Sequence, residues 1–228
     1  MKTAVILPTW SRVKQAALCT RRLLDTSSCD VVIVTEDDMY EFSDPVGYLV
    51  GDLVDDKRVY FLPVSPRPRL TAVQKWNYGL ECMPDYDAYV LGADDVLAHD
   101  DWHNEALRVQ RETGCGFIGL NDGHSDGAQM STHYLMTREF ITQHHGGVMA
   151  IPHYRSWAID EEATIRARRA NQFAYAERAV LEHRHWMWNK SGKDVTYSGA
   201  QPAHDYDIMI CKMRYARGFP DDFEAVIS

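Results

Sequence analysis

The chain has 228 residues, 45% of them hydrophobic and 25% charged, and its formal net charge is −9. This composition is typical of one globular domain with a sizeable core, and no repeat or low-complexity tract indicates a fibrous or disordered protein. The whole negative balance lies in residues 1–150, which disfavours that part as a surface for a nucleic-acid backbone. The five cysteines have no zinc-like spacing, and we expect a reducing, cytoplasmic location.

The first apolar run, residues 4–8, is far too short for a signal peptide or a membrane span, and it predicts a buried strand. Ser11 is then expected to cap a helix. Further strands are predicted at residues 31–34, 59–62 and 88–91, and further helices at residues 70–83 and 100–114. Strands that alternate with helices predict a three-layer α/β fold with a mostly parallel central sheet, as a single domain over residues 1–228.

Three polar segments follow the predicted strands, at residues 8–12, 35–38 and 93–96. In a parallel sheet the carboxyl ends of the strands meet at one edge, and ligands bind there. The segment after the first strand has neither G-x-G-x-x-G nor a Walker-type lysine loop, which disfavours dinucleotide redox chemistry and P-loop chemistry. Plain surface loops would also be polar, but the coincidence of three such segments favours a nucleotide site.

The acidic pair Asp94 and Asp95 directly follows the apolar strand predicted at residues 88–91. Carboxylates at the end of a buried strand supply the hard oxygen ligands that a divalent cation takes when it meets a diphosphate. A solvated turn is the alternative, because turns favour aspartate whatever their role. The other motifs of the chain decide between the two.

Motifs along most of the chain share one resemblance. In order they are Pro8, Thr9 and Arg12, the acidic end of the second strand, Lys75-Trp76-Asn77-Tyr78-Gly79, Leu91-Gly92-Ala93-Asp94-Asp95, residues 131–140 with Gly146-Gly147, residues 157–163, and residues 183–186. The first four resemble the nucleotide-binding half of family 2-like glycosyltransferases of the GT-A fold. The last three are similar to that family's segment before the acceptor site, its catalytic-base motif and its late histidine strand.

The resemblance implies a Rossmann-like GT-A fold in which residues 1–100 bind a nucleotide sugar and residues 101–228 bind the acceptor. It also implies the metal-dependent transfer of a sugar from a nucleoside-diphosphate sugar. We favour a UDP-sugar as the donor.

A divalent cation is expected to balance the charge of the departing diphosphate. Asp95 is the best candidate to hold Mg²⁺ or Mn²⁺, with Asp94 as a second ligand or behind it. The strict Asp-x-Asp form is absent because Gly92 occupies its first position, so ligation is expected to rest on Asp95 and water. His183 and His185 alternate by two along a predicted strand, and either could complete the metal site or touch the diphosphate. A structural imidazole is the alternative for each.

Three acidic residues, Asp160, Glu161 and Glu162, precede a predicted helix. Acids in a first helical turn stabilise the helix by about 0.3 to 1 kcal/mol each, which would explain them without catalysis. Three are more than a cap needs, however. We expect Asp160 or Glu161 to be the general base that takes the proton of the acceptor hydroxyl, with inversion at the anomeric carbon. Glu162 is expected to serve in a capping box.

The remaining candidates are expected to hold the donor. Thr9 and Arg12 would reach ribose and phosphate, an acid at the end of the second strand would accept from the base or the ribose, and Lys75 and Asn77 would contact base or diphosphate. The full predicted nucleotide-sugar-binding set is Pro8, Thr9, Arg12, Thr35, Glu36, Asp37, Lys75, Asn77 and Asp94. For Lys75 and Asn77 the alternative is a solvated helix surface, although Asn77 weakens a helix.

Two other functions remain alternatives. One is a metal-dependent nucleotidyltransferase, which is expected to have a glycine-rich first loop that residues 8–12 lack. The other is a catalytically silent module that binds a nucleotide or a sugar. Tight donor binding without turnover would identify it.

The acceptor is expected to be a saccharide or small molecule, with a modified DNA base as the alternative. Residues 187–220 interleave basic and aromatic side chains, as a polyanionic or saccharide acceptor would require. They are Lys190, Lys193, Lys212, Arg214, Arg217, Trp188, Tyr197, Tyr206 and Tyr215. A charged, solvated helix explains the same pattern and is favoured, because mixed-sign surface charge is ordinary.

Overall fold

The computed structural model describes residues 1–36, 53–65, 68–124, 127–188, 190, 192 and 194–221. Its strands are β1 (Thr3–Thr9), β2 (Asp30–Thr35), β3 (Val59–Pro63), β4 (Ala88–Leu91), β5 (Val96–Ala98), β6 (Phe117–Asn121), β7 (His133–Thr137) and β8 (Phe173–His183). Its helices are α1 (Val13–Thr26), α2 (Ala72–Cys82), α3 (Trp102–Thr113), α4 (Arg138–His144), α5 (Ile159–Arg169) and α6 (Val195–Ala216), with a 3₁₀ turn at Trp186–Trp188. The candidate residues Asp37 and Lys193 lie outside the described residues.

The strands form an eight-stranded sheet in the order β3-β2-β1-β4-β7-β6-β8-β5. β1 pairs in parallel with β2 and β4, β2 with β3, and β6 with β8. β7 runs antiparallel between β4 and β6, and β5 runs antiparallel to β8. The predicted α/β class with a mostly parallel central sheet is therefore confirmed, and antiparallel pairing is confined to the side of the sheet beyond β4.

Helices cover both faces of the sheet, and β1 is therefore buried on both sides. Side chains alternate along a strand, so Val5 and Leu7 pack in one core with α1 and α3, while Ala4 and Ile6 pack in the other with α2, α4 and α5. All four side chains are fully buried, which is why the strand is a continuous apolar run in the sequence. The three predicted layers are thus present.

Two helix starts differ from the sequence-based expectation. Ser11 does not cap α1: it has a φ of 57°, and Arg12 is the N-cap residue without a side-chain capping bond. α3 starts after Asp101, whose φ is 60°, whereas the Asp100 carboxylate accepts a hydrogen bond from Arg22 Nη2 at 2.8 Å. At both places a residue with left-handed backbone makes the turn into the helix, and such a turn leaves no capping pattern in the sequence.

α2 begins at a cap that the sequence analysis did not identify, whereas the end of α3 predicted at Gly114 is confirmed. Thr71 forms a complete capping box with Gln74, in which Oγ1 accepts from the Gln74 N–H and the Gln74 Oε1 accepts from the Thr71 N–H. Gly114 ends α3 in the left-handed conformation with a φ of 69°. Among the described residues, no helix combines the length and the apolar character needed to cross a bilayer.

α6 is only partly the solvated helix predicted for its region. Arg214 is fully buried and donates from Nε and Nη2 to the two carboxylate oxygens of Glu162, at 2.8 and 2.9 Å. Asp207, also fully buried, accepts backbone N–H bonds from residues 155–157. α6 therefore ties the last described part of the chain to α5 and to the loop before it.

Candidate active site

A cleft of about 280 Å³ opens at the carboxyl edge of the sheet, between the ends of β1 and β4, the loop before α5, the end of β8 and the start of α6. The predicted site residues that line it are Pro8, Thr9, Lys75, Asp94, Asp95, Asp160, His183 and His185. Arg12 and Glu36 contact lining residues from behind. The side chains of Thr35, Asn77 and Glu161 do not line this cleft. Most of the predicted residues are therefore brought together at one place.

Asp94 is bound by the turn that follows β1. Its carboxylate accepts from Thr9 Oγ1 at 2.8 Å and from Arg12 Nη1 at 2.9 Å. Burial and the neighbouring Asp95 raise the pKa of Asp94 to about 6, in spite of these hydrogen bonds. β1 and β4 are parallel neighbours, so the turn that follows β1 and the acidic pair that follows β4 lie side by side.

Asp95 faces the end of β8 and the start of α6. Its Oδ2 accepts from the Tyr197 hydroxyl at 2.8 Å and lies 3.4 Å from His183 Nε2. Burial opposes the charge, but the hydrogen bonds from His183 and Tyr197 hold the pKa of Asp95 well below its usual value. Burial likewise opposes a charged His183, and Asp95 nevertheless raises the pKa of that imidazole. Pairing of Val96 with His183 in the sheet fixes this approach.

His185 lies just beyond β8, with its ring centroid 5.2 Å from that of His183 and 4.4 Å from that of Tyr197. Burial, followed by the charge of His183, lowers the pKa of His185 to about 4. At neutral pH the two histidines therefore differ, because His185 is neutral whereas His183 holds a proton more readily. They can play different roles in one site.

Lys75 is buried beneath the end of β1. Its Nζ donates to the Thr9 carbonyl at 2.7 Å and forms an ion pair with Glu36. Glu36 thus places its carboxylate against an ammonium that lines the cleft. Thr35, one residue earlier, is fully buried, and its carbonyl accepts from the Val64 N–H at 2.9 Å.

Asn77 does not line the cleft, and its side-chain amide binds the backbone of the loop before α5. Its Oδ1 accepts from the N–H groups of Met149 and Ala150 at 3.0 and 2.9 Å, and its Nδ2 donates to the Ala150 carbonyl at 2.7 Å. The amide therefore holds the loop before α5 against α2. This contact explains a residue that weakens its own helix.

The three acids at the start of α5 have three different surroundings. Asp160 lines the cleft, and burial raises its pKa to about 6. Glu161 is exposed to solvent on another side of the helix. Glu162 is fully buried and accepts from the Tyr154 hydroxyl at 2.7 Å and from Arg166 Nε at 2.8 Å as well as from Arg214. The capping box predicted for Glu162 is wrong, because its carboxylate is the centre of a buried ion-pair network.

Sequence reasoning missed three residues that shape the cleft. Asp194 caps α6 and binds Arg12, and Asp207 orders the loop that carries Trp157. His133 begins β7 and lines the cleft at 3% exposure. Asp194 stands before a helical run and could have been found as a cap, but no local signal connects it with a residue 182 positions away.

The described residues of the cleft offer few ligands for a divalent cation. No group of three potential metal ligands occurs in the described ranges. Asp95 Oδ2 and His183 Nε2 are 3.4 Å apart, as two neighbouring ligands of one ion would be, whereas Asp94 is engaged by Arg12 and Thr9. Magnesium and manganese sites commonly take one or two protein ligands and complete their shell with phosphate oxygens and water. The pair is compatible with such a shared site.

No protein-family model and no curated protein matches the sequence. Among solved structures, the chain is similar to the mannosyltransferase PcManGT from Pyrobaculum calidifontis, solved in complex with GDP-Man and Mn²⁺. The TM-score is 0.68 at 12% identity, over 95% of this chain and 64% of that one. It is also similar to S. aureus TarS 1-349 in complex with UDP-GlcNAc, with a TM-score of 0.55 at 11% identity, over 79% of this chain and 57% of that one.

The complex of the same TarS segment with UDP gives a TM-score of 0.57 at 11% identity, over 79% of this chain and 59% of that one. The chain thus spans less than two thirds of the length of these neighbours. At such low identity the likeness establishes the fold. The chain has the Rossmann-like GT-A fold found in nucleotide-sugar glycosyltransferases.

Proposed function

We propose that the chain is a glycosyltransferase that moves a sugar from a nucleoside-diphosphate sugar, with UDP favoured, to an acceptor hydroxyl. The observation that carries the proposal is the cleft itself: an acidic pair at the end of β4 faces Asp160, a carboxylate of raised pKa, across one opening of a GT-A fold. Such a cleft offers a place for a departing diphosphate and a place for a base. Both are needed for glycosyl transfer.

The first half of the chain would bind the donor. Thr9 and Pro8 form the end of β1 at the cleft, and Arg12 and Lys75 bring positive charge to the same place. Glu36 lies at the end of β2, where its carboxylate could accept from a base or a ribose hydroxyl. We propose residues 1–100 as the donor-binding half and residues 101–228 as the acceptor-binding half.

Asp95 and His183 would hold Mn²⁺ or Mg²⁺, with Asp94 behind them. A bound cation supplies the positive charge that stabilises a leaving diphosphate. Around it, Arg12 keeps Asp94 in place, and the Tyr197 hydroxyl fixes one oxygen of Asp95. His185, neutral because of its lowered pKa, is available as a hydrogen-bond partner for the diphosphate.

Asp160 is our candidate for the general base, in preference to Glu161. An acceptor hydroxyl attacks the anomeric carbon as the bond from that carbon to the diphosphate oxygen breaks, and the proton of the hydroxyl passes to the Asp160 carboxylate. A base whose pKa lies near the working pH suits this transfer. Attack from the side opposite the leaving group gives inversion.

A saccharide or small-molecule acceptor is favoured over DNA. Arg214, one of the basic residues that a DNA backbone would require, is buried in the Glu162 ion pair. Trp157 lies at the cleft with its ring 6.2 Å from that of His185, and an indole is a suitable surface for a sugar ring.

All five cysteines are free thiols, which supports the proposed reducing, cytoplasmic location.

Thermal unfolding with UDP-GlcNAc, UDP-glucose and GDP-mannose, each with and without Mn²⁺, tests the proposal. A donor at 100 times its Kd stabilises a protein by about 2.7 kcal/mol, so Tm should rise for at least one donor and rise further with Mn²⁺. Slow release of free nucleoside diphosphate then separates an enzyme from a silent binding module. No Tm shift with any donor would reject the proposal, and nucleotide transfer from a nucleoside triphosphate would favour the nucleotidyltransferase.

A further inference from the structure

His133 is a buried side chain that faces the cleft. It is the first residue of β7, it is 3% exposed, and it lines the cleft. Neither Nδ1 nor Nε2 makes a well-formed hydrogen bond among the described residues, and the backbone of Leu91 is a partner for at most one of them. An imidazole whose two nitrogens are not both engaged offers a ligand an N–H donor or a bare acceptor.

The other buried histidines of the described chain each use at least one nitrogen. His103 Nε2 lies 3.1 Å from Thr3 Oγ1, His145 Nδ1 lies 2.8 Å from the Val148 carbonyl, and His185 Nδ1 accepts from the Met187 N–H at 3.3 Å. A buried polar group without a good partner costs free energy, and of these histidines His133 is the one that lines the cleft without a well-formed bond. His133 therefore has a ring nitrogen that a ligand in the cleft can bind.

The position of His133 indicates which part of a ligand it meets. Its ring packs edge to face on His183 with centroids 4.9 Å apart, and His183 in turn contacts Asp95. His133 and Asp160 both line this cleft. His133 thus lies beside the proposed cation pair in a cleft that also contains the proposed base, and the transferred sugar has to pass from one to the other.

We propose that His133 recognises a hydroxyl group of the donor's sugar ring, as acceptor or donor of one hydrogen bond, and so helps to select the sugar. The inference rests on the proposed function and names the part of the donor that β7 binds. An imidazole suits a sugar hydroxyl, since one nitrogen can accept the hydroxyl proton or the other can donate to the hydroxyl oxygen. The neighbouring Thr132 hydroxyl is already bonded to Asp122 at 2.9 Å, which leaves the imidazole as the adaptable group.

The test compares nucleotide sugars with nucleotides alone. Dissociation constants for UDP-GlcNAc against UDP, and for GDP-mannose against GDP, are measured with Mn²⁺ by calorimetry for the wild type, His133→Leu and His133→Asn. Losing one neutral hydrogen bond should weaken binding of the nucleotide sugar by roughly three- to tenfold and leave the nucleotide unchanged. His133→Asn, which keeps a donor and an acceptor, should recover part of the loss.

Thermal unfolding without ligand supplies the matched control. His133→Leu removes a polar group without a well-formed hydrogen bond, so its Tm should equal or exceed that of the wild type. His103→Leu removes a buried imidazole that has a partner and should lower Tm. A lowered Tm for His133→Leu would assign the residue to structure and overturn the inference.

Two further outcomes separate this inference from the function on which it rests. Equal losses for nucleotide and nucleotide sugar would place His133 at the diphosphate or the cation, and would overturn sugar recognition while leaving the proposed function standing. If the wild type binds none of the four probes, the proposed function fails and the role of His133 fails with it.

Discussion

The guanidinium of Arg12 makes a two-pronged contact with the carboxylate of Asp194, in which Nε donates to Oδ2 at 2.6 Å and Nη2 donates to Oδ1 at 2.8 Å. The same guanidinium donates to Asp94 and stacks on the ring of Tyr197, 3.9 Å from its centroid. One side chain thus joins the turn after β1, the acidic pair after β4 and the first turn of α6. The start of α6 is thereby held against the donor side of the cleft.

This relationship predicts a measurable coupling between Arg12 and Asp194. Asp194→Asn keeps an oxygen for the N-cap bond to the Tyr197 N–H but removes the charge, and Arg12→Lys keeps the charge but loses the planar fork. Asp194 is partly exposed, so we expect a coupling free energy of about 1 kcal/mol in denaturant unfolding of the two single variants and the double variant. Additive effects of the two changes would contradict a direct pair.

Asp95→Asn tests the proposed cation site. The amide keeps the size of the side chain and a partner for the Tyr197 hydroxyl, but it is a poor ligand for a divalent cation. We expect transfer and donor hydrolysis to be abolished, and the additional Tm rise that Mn²⁺ gives with a donor to disappear. Asp100→Asn, a change at a solvent-exposed carboxylate bound to Arg22, is the matched control. Full wild-type activity in excess chelator would reject the cation.

Asp160→Asn should lose activity and gain stability. If Asp160 is the base, its replacement should lower turnover by about 10²-fold or more and should change donor affinity little. Its pKa of about 6 in the folded protein exceeds the ordinary aspartate value of 3.8, so ionised Asp160 destabilises the fold and the stability of the wild type falls as pH rises between these values. At pH 7 the amide should therefore raise Tm.

The pH profile and a neighbouring acid complete that test. Turnover of the wild type should fall as pH drops through about 6, because the protonated carboxyl cannot accept the acceptor's proton. Glu161→Gln changes the adjacent, exposed acid and should leave turnover near that of the wild type. If Glu161→Gln is the inactive variant, the assignment of the base is reversed.

The sequence predicted the parallel part of the sheet because β1, β2 and β4 are buried on both faces and therefore stand out as apolar runs bounded by polar residues. β5 and β7 could not be found in the same way. β5 is three residues long and is a strand because it pairs with residues 181–183 of β8. β7 takes its antiparallel place from pairing with both β4 and β6, which is set by tertiary packing and leaves no local signal.

The residues of the candidate site likewise include some that the sequence could predict and some that only tertiary packing reveals. Asp94, Asp95 and Asp160 were predictable because each lies next to a strand end or a helix start that the sequence indicates. The sequence could not tell which of Asp160, Glu161 and Glu162 faces the cleft, since that depends on how α5 packs against Arg214 of α6. His133 was missed for the same reason, because only the pairing of β7 brings it beside His183.

Arg214→Met should be strongly destabilising, although Arg214 belongs to the basic series first considered for an acceptor surface. The change leaves Glu162 buried with Arg166 and the Tyr154 hydroxyl as its remaining partners. Removing one partner of a buried ion pair costs about 3–5 kcal/mol, so the denaturation midpoint should fall well below that of the wild type. Arg217→Met, at an exposed position three residues later, should stay within about 0.5 kcal/mol of the wild type. Equal effects of the two changes would contradict the ion-pair network.

Charge reversal on the exposed face of α6 tests DNA against a neutral acceptor. Lys212 and Arg217 are exposed, so Lys212→Glu and Arg217→Glu can be combined without touching the Glu162 network.

A DNA acceptor would bind through phosphate contacts, and each lost contact should lower the slope of log Kobs against log salt by about 0.9. For a saccharide or small-molecule acceptor we expect turnover that is insensitive to salt between 50 and 200 mM, a range over which a protein with about 6–10 phosphate contacts loses about 10³-fold or more in affinity. We also expect the double reversal to have no effect. The negative balance of the chain lies in residues 1–150, so the part of the chain that contains α6 has no net negative charge to repel a polyanion. Tight, salt-dependent binding of hydroxymethylated duplex DNA that the double reversal abolishes would establish DNA as the acceptor in place of a saccharide.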